Sequence, residues 1–264
     1  MGAKRSLGQN FLQNTGIAEK IIDFADLMPH DRVLEIGPGR GILTRALARQ
    51  SAHVTAVEKD DQLFEELART FKDSGHVTII HGDILECDLA DFIRPGIKIV
   101  ANLPYNIASR LIVNLTGYAR QIVSAVFMVQ MEVAGRICAH VGQKDYSALS
   151  VLVSSAFTPI PGFIVGPNNF IPKPKVNSQV IKLISKGVTM AQEDARLFRK
   201  VVFAAFNQRR KMLKNSLMCL EGIDRESVHE FVRDACIDPA KRPQDLTPED
   251  YLRLSRFYRH YEIS

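Results

Sequence analysis

The sequence is poor in the residue patterns that build metal sites, redox sites and membrane spans. Its four cysteines form no CxxC pair, and its seven histidines form no HxxxH or HExxH pair. Isolated residues of these types predict free thiols in a reducing compartment and argue against a zinc or redox centre. The longest apolar stretch, residues 122–137, is interrupted by Gln130, Glu132 and Arg136, so it does not predict a membrane span. We therefore expect a cytoplasmic protein with no metal ion and no membrane partner.

The composition is that of a folded chain with a locally basic surface. Hydrophobic residues make up 46% of the 264 positions, which is enough to bury a core without disulfides or a structural metal. The net charge of +5 is compatible with a nucleic-acid partner but does not identify one. Residues 197–217 contain six Lys or Arg side chains and no Asp or Glu. Three of them, Arg209, Arg210 and Lys211, are adjacent on a predicted helix and are candidates for RNA phosphate contacts, with a solvated helix face as the alternative.

Apolar runs alternate with amphipathic segments over the first two thirds of the chain. Most of these runs are apolar on both faces, which is typical of parallel strands covered by helices, and they occupy residues 32–37, 53–59, 77–83, 97–103 and 123–130. The segments 41–50, 61–71 and 108–118, which lie between them, have helical spacing. This order predicts an α/β fold with a doubly wound, mostly parallel sheet. Two later runs, 149–157 and 176–185, predict two more strands and bring the total to seven.

The pattern changes after Gly187, where no further strand is predicted. Three helical segments follow, at about 191–220, 224–236 and 248–260, and Thr247 followed by Pro248 predicts the start of the last one. We therefore place a domain boundary near residue 186. The expected organisation is a catalytic domain over 1–186 and a small all-helical, RNA-binding domain over 187–264.

A glycine-rich loop, EIGPGRG at residues 35–41, follows the first predicted strand and opens a helix. Its spacing is not the GxGxxG of a dinucleotide site, and no Gly-Lys-Ser/Thr of a Walker loop follows. Glu58 and Asp83 end the second and third strands, at the edge where open α/β sheets bind ligands. Glu58 can accept hydrogen bonds from ribose hydroxyls, and Asp83 can accept one from an adenine amino group. Each feature alone could be a tight turn or a helix N-cap, but together they indicate an adenosine ligand without a pyrophosphate, and S-adenosylmethionine fits.

The fourth strand ends in the sequence NLPYN, residues 102–106. An aromatic amine is a poor nucleophile because its lone pair is delocalised into the ring. The side-chain carbonyl of Asn102 and a main-chain carbonyl of the turn can accept its N–H bonds and localise that pair. Pro104 would stiffen the turn and Tyr105 would stack on an extruded base, while an ordinary surface turn is the alternative. Leu103 is the residue for which we expect a role in making room for an amine that already carries one methyl group.

Eight motifs in the correct order carry a resemblance to a known family. They are SLGQNFL, EIGPGRGILT, VEKD, GDIL, NLPYNIAS, VFMVQMEVAGRI, FIPKPKVNSQV and FNQRRKMLKNSL. Together they resemble the small-subunit ribosomal RNA adenine dimethyltransferases from Ser6 to beyond residue 217. The resemblance implies a class I methyltransferase fold and N6,N6-dimethylation of two adjacent adenosines in the 3′-terminal hairpin of bacterial 16S rRNA, during small-subunit biogenesis.

The same resemblance implies roles for individual residues and for partners. Residues expected to contact S-adenosylmethionine are Asn10, Leu12, Gly37, Glu58, Asp83 and Asn102. Phe170 would help to sandwich the target base, and the segment around SLGQNFLQN would cover the cofactor. The expected partner is small-subunit rRNA or an immature 30S particle, bound by a monomer. Met131, where the family usually has Lys, and the segment YSALS depart from the pattern at places expected to lie near RNA.

Two other functions stay open at this point. A related dimethyltransferase modifies large-subunit rRNA and confers antibiotic resistance, although the FNQRRK block and the long helical tail favour the small-subunit enzyme. A ribosome-assembly factor that retains the fold without catalysis is the second alternative. Such a factor would not need Asn102, Tyr105, Glu58 and Asp83, so the presence of all four favours an enzyme.

Overall fold

The computed structural model of the protein describes residues 9–51 and 53–262. The chain divides into two compact units. The first comprises the residues up to Ala134 together with Thr158–Gly187, and the second comprises Gly135–Phe157 together with the residues from Val188 onward. Ser6–Gly8 of the segment expected to cover the cofactor lie outside the described residues.

The first unit is built on a seven-stranded sheet with mixed direction. Its strands are β2 (Arg32–Ile36), β3 (His53–Glu58), β4 (Val77–His81), β5 (Ile97–Asn102), β6 (Ile122–Gln130), β7 (Phe157–Val165) and β9 (Ser178–Ser185). They are arranged in the order β4-β3-β2-β5-β6-β9-β7. The five neighbouring strands β4, β3, β2, β5 and β6 run parallel, and β9 pairs with β6 in the antiparallel direction. The order reverses between β2 and β5, which is where sheets of this kind bind ligands.

A second, two-stranded sheet joins the N-terminal segment to the proline-rich loop. Its strands are β1 (Phe11–Leu12) and β8 (Phe170–Ile171), paired antiparallel with Leu12 opposite Phe170. The N–H of Gln13 also donates to the Asn169 carbonyl at 2.8 Å. These bonds fix residues 11–13 beside the start of the loop.

Helices cover the large sheet because its strands are apolar on both faces. The helices of this part of the chain are α1 (Thr15–Ala25), α2 (Ile42–Ala48), α3 (Asp61–Thr70), α4 (Ala108–Leu115) and α5 (Met131–Cys138). Asn14 caps the start of α1, and its side chain accepts from the N–H groups of Gly16 and Ile17. Ile21 and Ile22 of α1 and Leu47 of α2 are fully buried against the sheet.

The second unit is helical in its described residues. Its helices are α6 (Ala148–Ser154), α7 (Gln192–Asn207), α8 (Leu213–Leu217), α9 (Ser227–Asp234) and α10 (Pro248–Glu262). The ring of Phe206 lies 6.1 Å from the Tyr146 ring and 5.9 Å from the Tyr251 ring, measured between centroids. Both tyrosines are buried, and their hydroxyls donate to carbonyls of this unit, at Leu246 and Pro243. No helix within residues 9–51 and 53–262 combines the length and apolarity needed to cross a bilayer.

Two predicted elements were wrong. Residues 149–157, predicted as a strand, form most of α6, whose first turn is capped by Ser147 and Ser150. A short run that is buried on all sides has no periodicity to separate strand from helix, and the adjoining strand β7 was missed. The predicted helix over 191–220 is interrupted between α7 and α8 at residues 208–212, so Arg209, Arg210 and Lys211 lie in a turn. The predicted start of α10 is confirmed, because the Thr247 hydroxyl accepts from the N–H of Asp250.

Candidate functional site

A cavity lies at the carboxyl edge of the parallel strands, entirely within the first unit. It is lined by the N-terminal segment 9–12, the loop after β2, the end of β3, the three residues after β4 and the turn after β5. The residues predicted to act there lie together in this lining, namely Asn10, Leu12, Gly37, Glu58, Asp83, Asn102, Leu103, Pro104 and Tyr105. Phe170 is not among the described residues that line the cavity.

The glycine loop approaches the N-terminal segment closely. Gly37 and Gly39 both have a positive φ, at 67° and 59°, a region that side chains other than glycine occupy only at a cost. A Cβ atom on Gly39 would lie 3.0 Å from Cδ1 of Phe11, which is buried and has the Arg40 guanidinium 4.8 Å from its ring centroid. The loop therefore needs glycine at residue 39 for its backbone shape and for the space that Phe11 already fills.

Glu58 is held by backbone N–H groups at the end of β3. Its Oε2 accepts from the N–H of Gly39 at 2.9 Å, and its Oε1 accepts from the N–H of Asp60 at 2.9 Å. Burial raises the pKa of this carboxyl, and the N–H groups of Asp60 and Gly39 act in the opposite direction. Each carboxylate oxygen has a further lone pair, so Glu58 can accept hydrogen bonds from a ligand without losing its own anchors.

Asp83 forms an ion pair at the same edge of the sheet. Its Oδ2 accepts from Nζ of Lys59 at 2.6 Å, and its Oδ1 accepts from the N–H of Leu85 at 2.9 Å. Burial alone would raise the pKa of Asp83, but the bonds from Lys59 and Leu85 and the charges of Lys59 and Arg110 outweigh it, so the pKa is lowered. Asp83 is therefore an ionised acceptor. Lys59, which also lines the cavity, was not recognised from the sequence.

Glu35 is a second acid of the cavity wall that the sequence did not single out. Its side chain is 1% exposed, and burial raises its pKa to about 8. The Thr44 hydroxyl and the charge of Arg45 act in the opposite direction, and the charge of Glu58 adds to the rise. Only the position of Glu35 before the glycine loop could have pointed to it.

Hydrogen bonds hold the backbone and the Asn102 side chain of the turn after β5 in place. Nδ2 of Asn102 donates to the Asn10 carbonyl at 3.2 Å, which leaves Oδ1 as an acceptor. The N–H of Leu103 donates to the Met128 carbonyl at 3.1 Å, and the Pro104 carbonyl accepts from the N–H groups of Ile107 and Ala108. The Leu103 carbonyl takes part in none of these bonds. Asn102 Oδ1 and the Leu103 carbonyl are therefore acceptors of the turn that these bonds do not use.

The two predicted aromatic residues differ in their surroundings. Tyr105 is partly buried in the cavity wall, and its hydroxyl lies 2.9 Å from the Ser178 hydroxyl. Burial raises the pKa of Tyr105, and the Ser178 hydrogen bond acts in the opposite direction. Phe170 is 3% exposed and packs in the core with Leu12 and Val180. Its role in holding a base stays a prediction.

The basic side chains of the second unit differ in their partners and in their exposure. Nη2 of Arg209 donates to the Lys144 carbonyl, and its Nε is buried with no partner among the described residues. Lys200 pairs with Glu262 at 2.6 Å and Glu221 at 3.3 Å. By contrast, Arg210 and Lys211 are exposed, and within residues 9–51 and 53–262 their side chains form no ion pair.

Comparisons with known proteins give a consistent picture. A family model described as ribosomal RNA adenine dimethylase matches residues 2–260. Curated relatives carry the name ribosomal RNA small subunit methyltransferase A. One from Geobacter metallireducens is 38% identical over 96% of this chain and 94% of its own length. One from Geobacillus sp. is 39% identical over 97% of this chain and 92% of its own length.

Two solved structures align over almost the whole chain. A dimethyladenosine transferase from Plasmodium falciparum is 26% identical, with a TM-score of 0.74 over 96% of this chain and 98% of that one. The 23S rRNA methyltransferase ErmE is 26% identical, with a TM-score of 0.67 over 94% of this chain and 99% of that one. Both structures share the fold of this chain, and of the two only the ErmE name states a ribosomal RNA.

Proposed function

This chain belongs to the ribosomal RNA adenine dimethylase family, and we propose that its target is a pair of adjacent adenosines in the 3′-terminal hairpin of small-subunit rRNA. It is an enzyme that dimethylates adenine N6 in ribosomal RNA with S-adenosylmethionine as methyl donor. The predicted fold class, a class I methyltransferase sheet, is confirmed. The observation that carries the assignment of chemistry is the meeting of Glu58, Asp83 and the Asn102 turn in one cavity.

The residues of the cavity fit S-adenosylmethionine. The glycine loop is open towards the cavity, because among the described residues a Cβ atom on Gly37 would meet only Cδ of Pro104, at 3.8 Å. Glu58 would hold the ribose hydroxyls and the ionised Asp83 the adenine amino group. Gly37, Asn10 and Leu12 would contact the remainder. When bound, S-adenosylmethionine supplies an electrophilic methyl group on its sulfonium sulfur.

The turn after β5 would activate the target amine. Asn102 Oδ1 and the Leu103 carbonyl would accept the two N–H bonds of adenine N6, which localises the lone pair and aims it. Pro104 fixes the turn, and Tyr105 would stack on the extruded base. Catalysis then depends mainly on positioning, and no strong general base is needed because the attacking nitrogen becomes acidic once it has accepted the methyl group and then releases its proton. Phe170 would need to become more exposed than it is here to contact the base from the other side.

The second unit supplies the proposed RNA surface. Arg210 and Lys211 are exposed and form no ion pair within the described chain, so they are the better candidates for phosphate contacts. Arg209, which is bonded to the loop at Lys144, would act by holding that surface in shape. Structured RNA would be held by backbone charge and shape, with the target adenosine extruded into the cavity.

The names of the curated relatives support the small-subunit target over the large-subunit one. The structural likeness to ErmE does not separate the two, because it lies at the level of the fold and 26% identity. We propose further that the enzyme acts as a monomer on an immature 30S particle in the cytoplasm. Mass spectrometry of both rRNAs from a strain that lacks this protein would test the choice: loss of a dimethyladenosine pair near the 3′ end of 16S rRNA is expected, and loss of a 23S mark alone would overturn it.

Replacing Asn102 tests catalysis against a role limited to ribosome assembly. We expect Asn102→Ala to lose methyl transfer by at least two orders of magnitude while RNA binding persists, because it removes a pre-organised hydrogen-bonding group, and the loss of one oxyanion-hole donor, a group of this kind, costs about 10²–10³ in rate. Lys98→Met is the control, because it changes the same strand outside the cavity lining and should therefore affect stability but not methyl transfer. Unchanged turnover in Asn102→Ala would refute the proposed chemistry.

A further inference from the structure

The hydroxyl of Tyr105 has a dedicated partner outside the cavity. Tyr105 lines the cavity, whereas Ser178, whose Oγ lies 2.9 Å from the tyrosine hydroxyl, is 0% exposed and does not line it. Ser178 therefore cannot touch a bound adenine directly. Any effect of Ser178 on the reaction has to pass through the tyrosine ring.

The sheet ties this hydrogen bond to the activating turn. Ser178 is the first residue of β9 and pairs with Gln130 of β6. The same strand β6 pairs with β5, where Asn102 lies opposite Met128, and the Met128 carbonyl accepts from the N–H of Leu103. One hydrogen-bonded frame thus fixes both the acceptors of the turn and the far end of the Tyr105 ring.

We propose that Ser178 is a positioning residue for methyl transfer: its hydroxyl holds the Tyr105 ring at the angle needed to stack on the target adenine. This rests on the function proposed above. A tyrosine ring attached only at its Cβ can rotate and tilt, whereas a ring bonded at both ends is pre-organised. The cost of ordering the ring is then met by the protein fold before the base arrives.

The second of the two methyl transfers depends on this anchor more than the first. Unmodified adenine offers two N–H bonds, which Asn102 Oδ1 and the Leu103 carbonyl would both accept. After one transfer the nitrogen keeps a single N–H, so only one of the two acceptors can hold it. The orientation of the base then depends more on stacking. A loosened Tyr105 ring should therefore release monomethylated product.

The test uses the full-length protein, S-adenosylmethionine and small subunits that lack the modification, with product analysis by mass spectrometry. Ser178→Ala and Tyr105→Phe each remove the same hydrogen bond from opposite ends. We expect each to slow the first transfer roughly fivefold, as the loss of one neutral hydrogen bond predicts, and to raise the ratio of mono- to dimethyladenosine. The KM for S-adenosylmethionine should not change. The double variant should be no slower than the slower single variant, because both changes break one bond.

Ser185→Ala is the matched control. Ser185 lies at the other end of β9, and its hydroxyl donates to the Ala119 carbonyl, so the variant loses a partly buried serine hydrogen bond on the same strand. It should lower the melting temperature without changing the rate or the product ratio. If Ser178→Ala fails to fold, Tyr105→Phe leaves the strand intact and should still show the shifted ratio.

Several results would overturn the inference. Rate losses that multiply in the double variant would mean that Ser178 acts independently of Tyr105. A wild-type product ratio in Ser178→Ala or in Tyr105→Phe would mean that the hydroxyl pair does not position the base. Failure of the proposed function looks different, because wild-type protein would then transfer no methyl groups to small subunits at all.

Discussion

Gly39→Ala should weaken cofactor binding beyond its effect on stability, and Gly96→Ala provides the matched control. Both glycines have a positive φ, 59° and 85°, so alanine costs each about 1–2 kcal/mol of backbone strain. At Gly96 a Cβ atom meets no atom within 4 Å. At Gly39 it meets the buried ring of Phe11 at 3.0 Å, and the loop or the ring must move.

The structure sets the size of the expected difference. The Gly39 N–H donates to Glu58 at 2.9 Å, and a hydrogen bond to a charged group contributes about 1.5–3 kcal/mol. If cofactor binding loses about half of this hydrogen-bond energy, the Kd for S-adenosylmethionine rises roughly tenfold. Phe11 also adjoins Asn10 and Leu12, which line the cavity, so its movement would add to the loss.

Isothermal titration with S-adenosylmethionine and S-adenosylhomocysteine measures this effect, and urea unfolding measures stability. We expect both variants to lose stability, Gly39→Ala more than Gly96→Ala because it also displaces Phe11, and only Gly39→Ala to bind roughly tenfold more weakly. If Gly39→Ala and Gly96→Ala bind either ligand with the same Kd, the assignment of this loop as the cofactor cradle is refuted.

Three further predictions follow from charges in the structure. The folded-state pKa of Glu35 is raised from its ordinary value of 4.5 to about 8, so between these pH values the folded state binds a proton that the unfolded state has lost, and the stability of the protein should fall as the pH rises. Without cofactor, the melting temperature of Glu35→Gln should lack that fall. If the melting temperatures of wild type and Glu35→Gln change in parallel with pH, this prediction is contradicted. Arg210→Gln and Lys211→Gln should each reduce the slope of log RNA affinity against log salt concentration by about one unit. Filter binding over a series of salt concentrations measures this slope, and an unaltered slope would mean that these residues form a solvated surface without phosphate contacts. Arg209→Gln should instead lower the melting temperature, because its guanidinium holds the Lys144 carbonyl; an unchanged melting temperature would contradict that structural role.

The parallel strands and the ligand edge were predictable because their signals are local. Most of the runs that became β2 to β6 are apolar on both faces, and helical spacing separates them, which leaves few alternative folds. Glu58 and Asn102 are the last residues of β3 and β5, and Asp83 lies two residues after the end of β4. Since the carboxyl ends of parallel strands meet at one edge, the order of the strands was enough to predict that these side chains would lie together.

Elements whose conformation depends on distant contacts were not predictable. Residues 149–157 are apolar enough for a strand, but serine capping and burial on all sides make most of them a helix. The stretch 197–217 lacks acids in sequence, yet Lys200 is neutralised by Glu221 and Glu262 from elsewhere in the chain. Local spacing contains no information about either arrangement.

The same limit applies to the finer features of the site. Ser178 is 73 residues from Tyr105 in sequence, and only the pairing of β9 with β6 brings it close. The burial of Glu35 and the resulting rise of its pKa are evident only once its surroundings are known. Phe170 illustrates the opposite case, because the resemblance implied a role at the base while the side chain is packed in the core.

The most direct measurement is transfer of tritiated methyl groups from S-adenosylmethionine to small ribosomal subunits that lack the modification, followed by mapping of the labelled nucleotides. We predict label on N6 of two adjacent adenosines near the 3′ end of the RNA, approaching four methyl groups per particle. Label at any other position, or transfer to large subunits in preference to small ones, would contradict the proposed function.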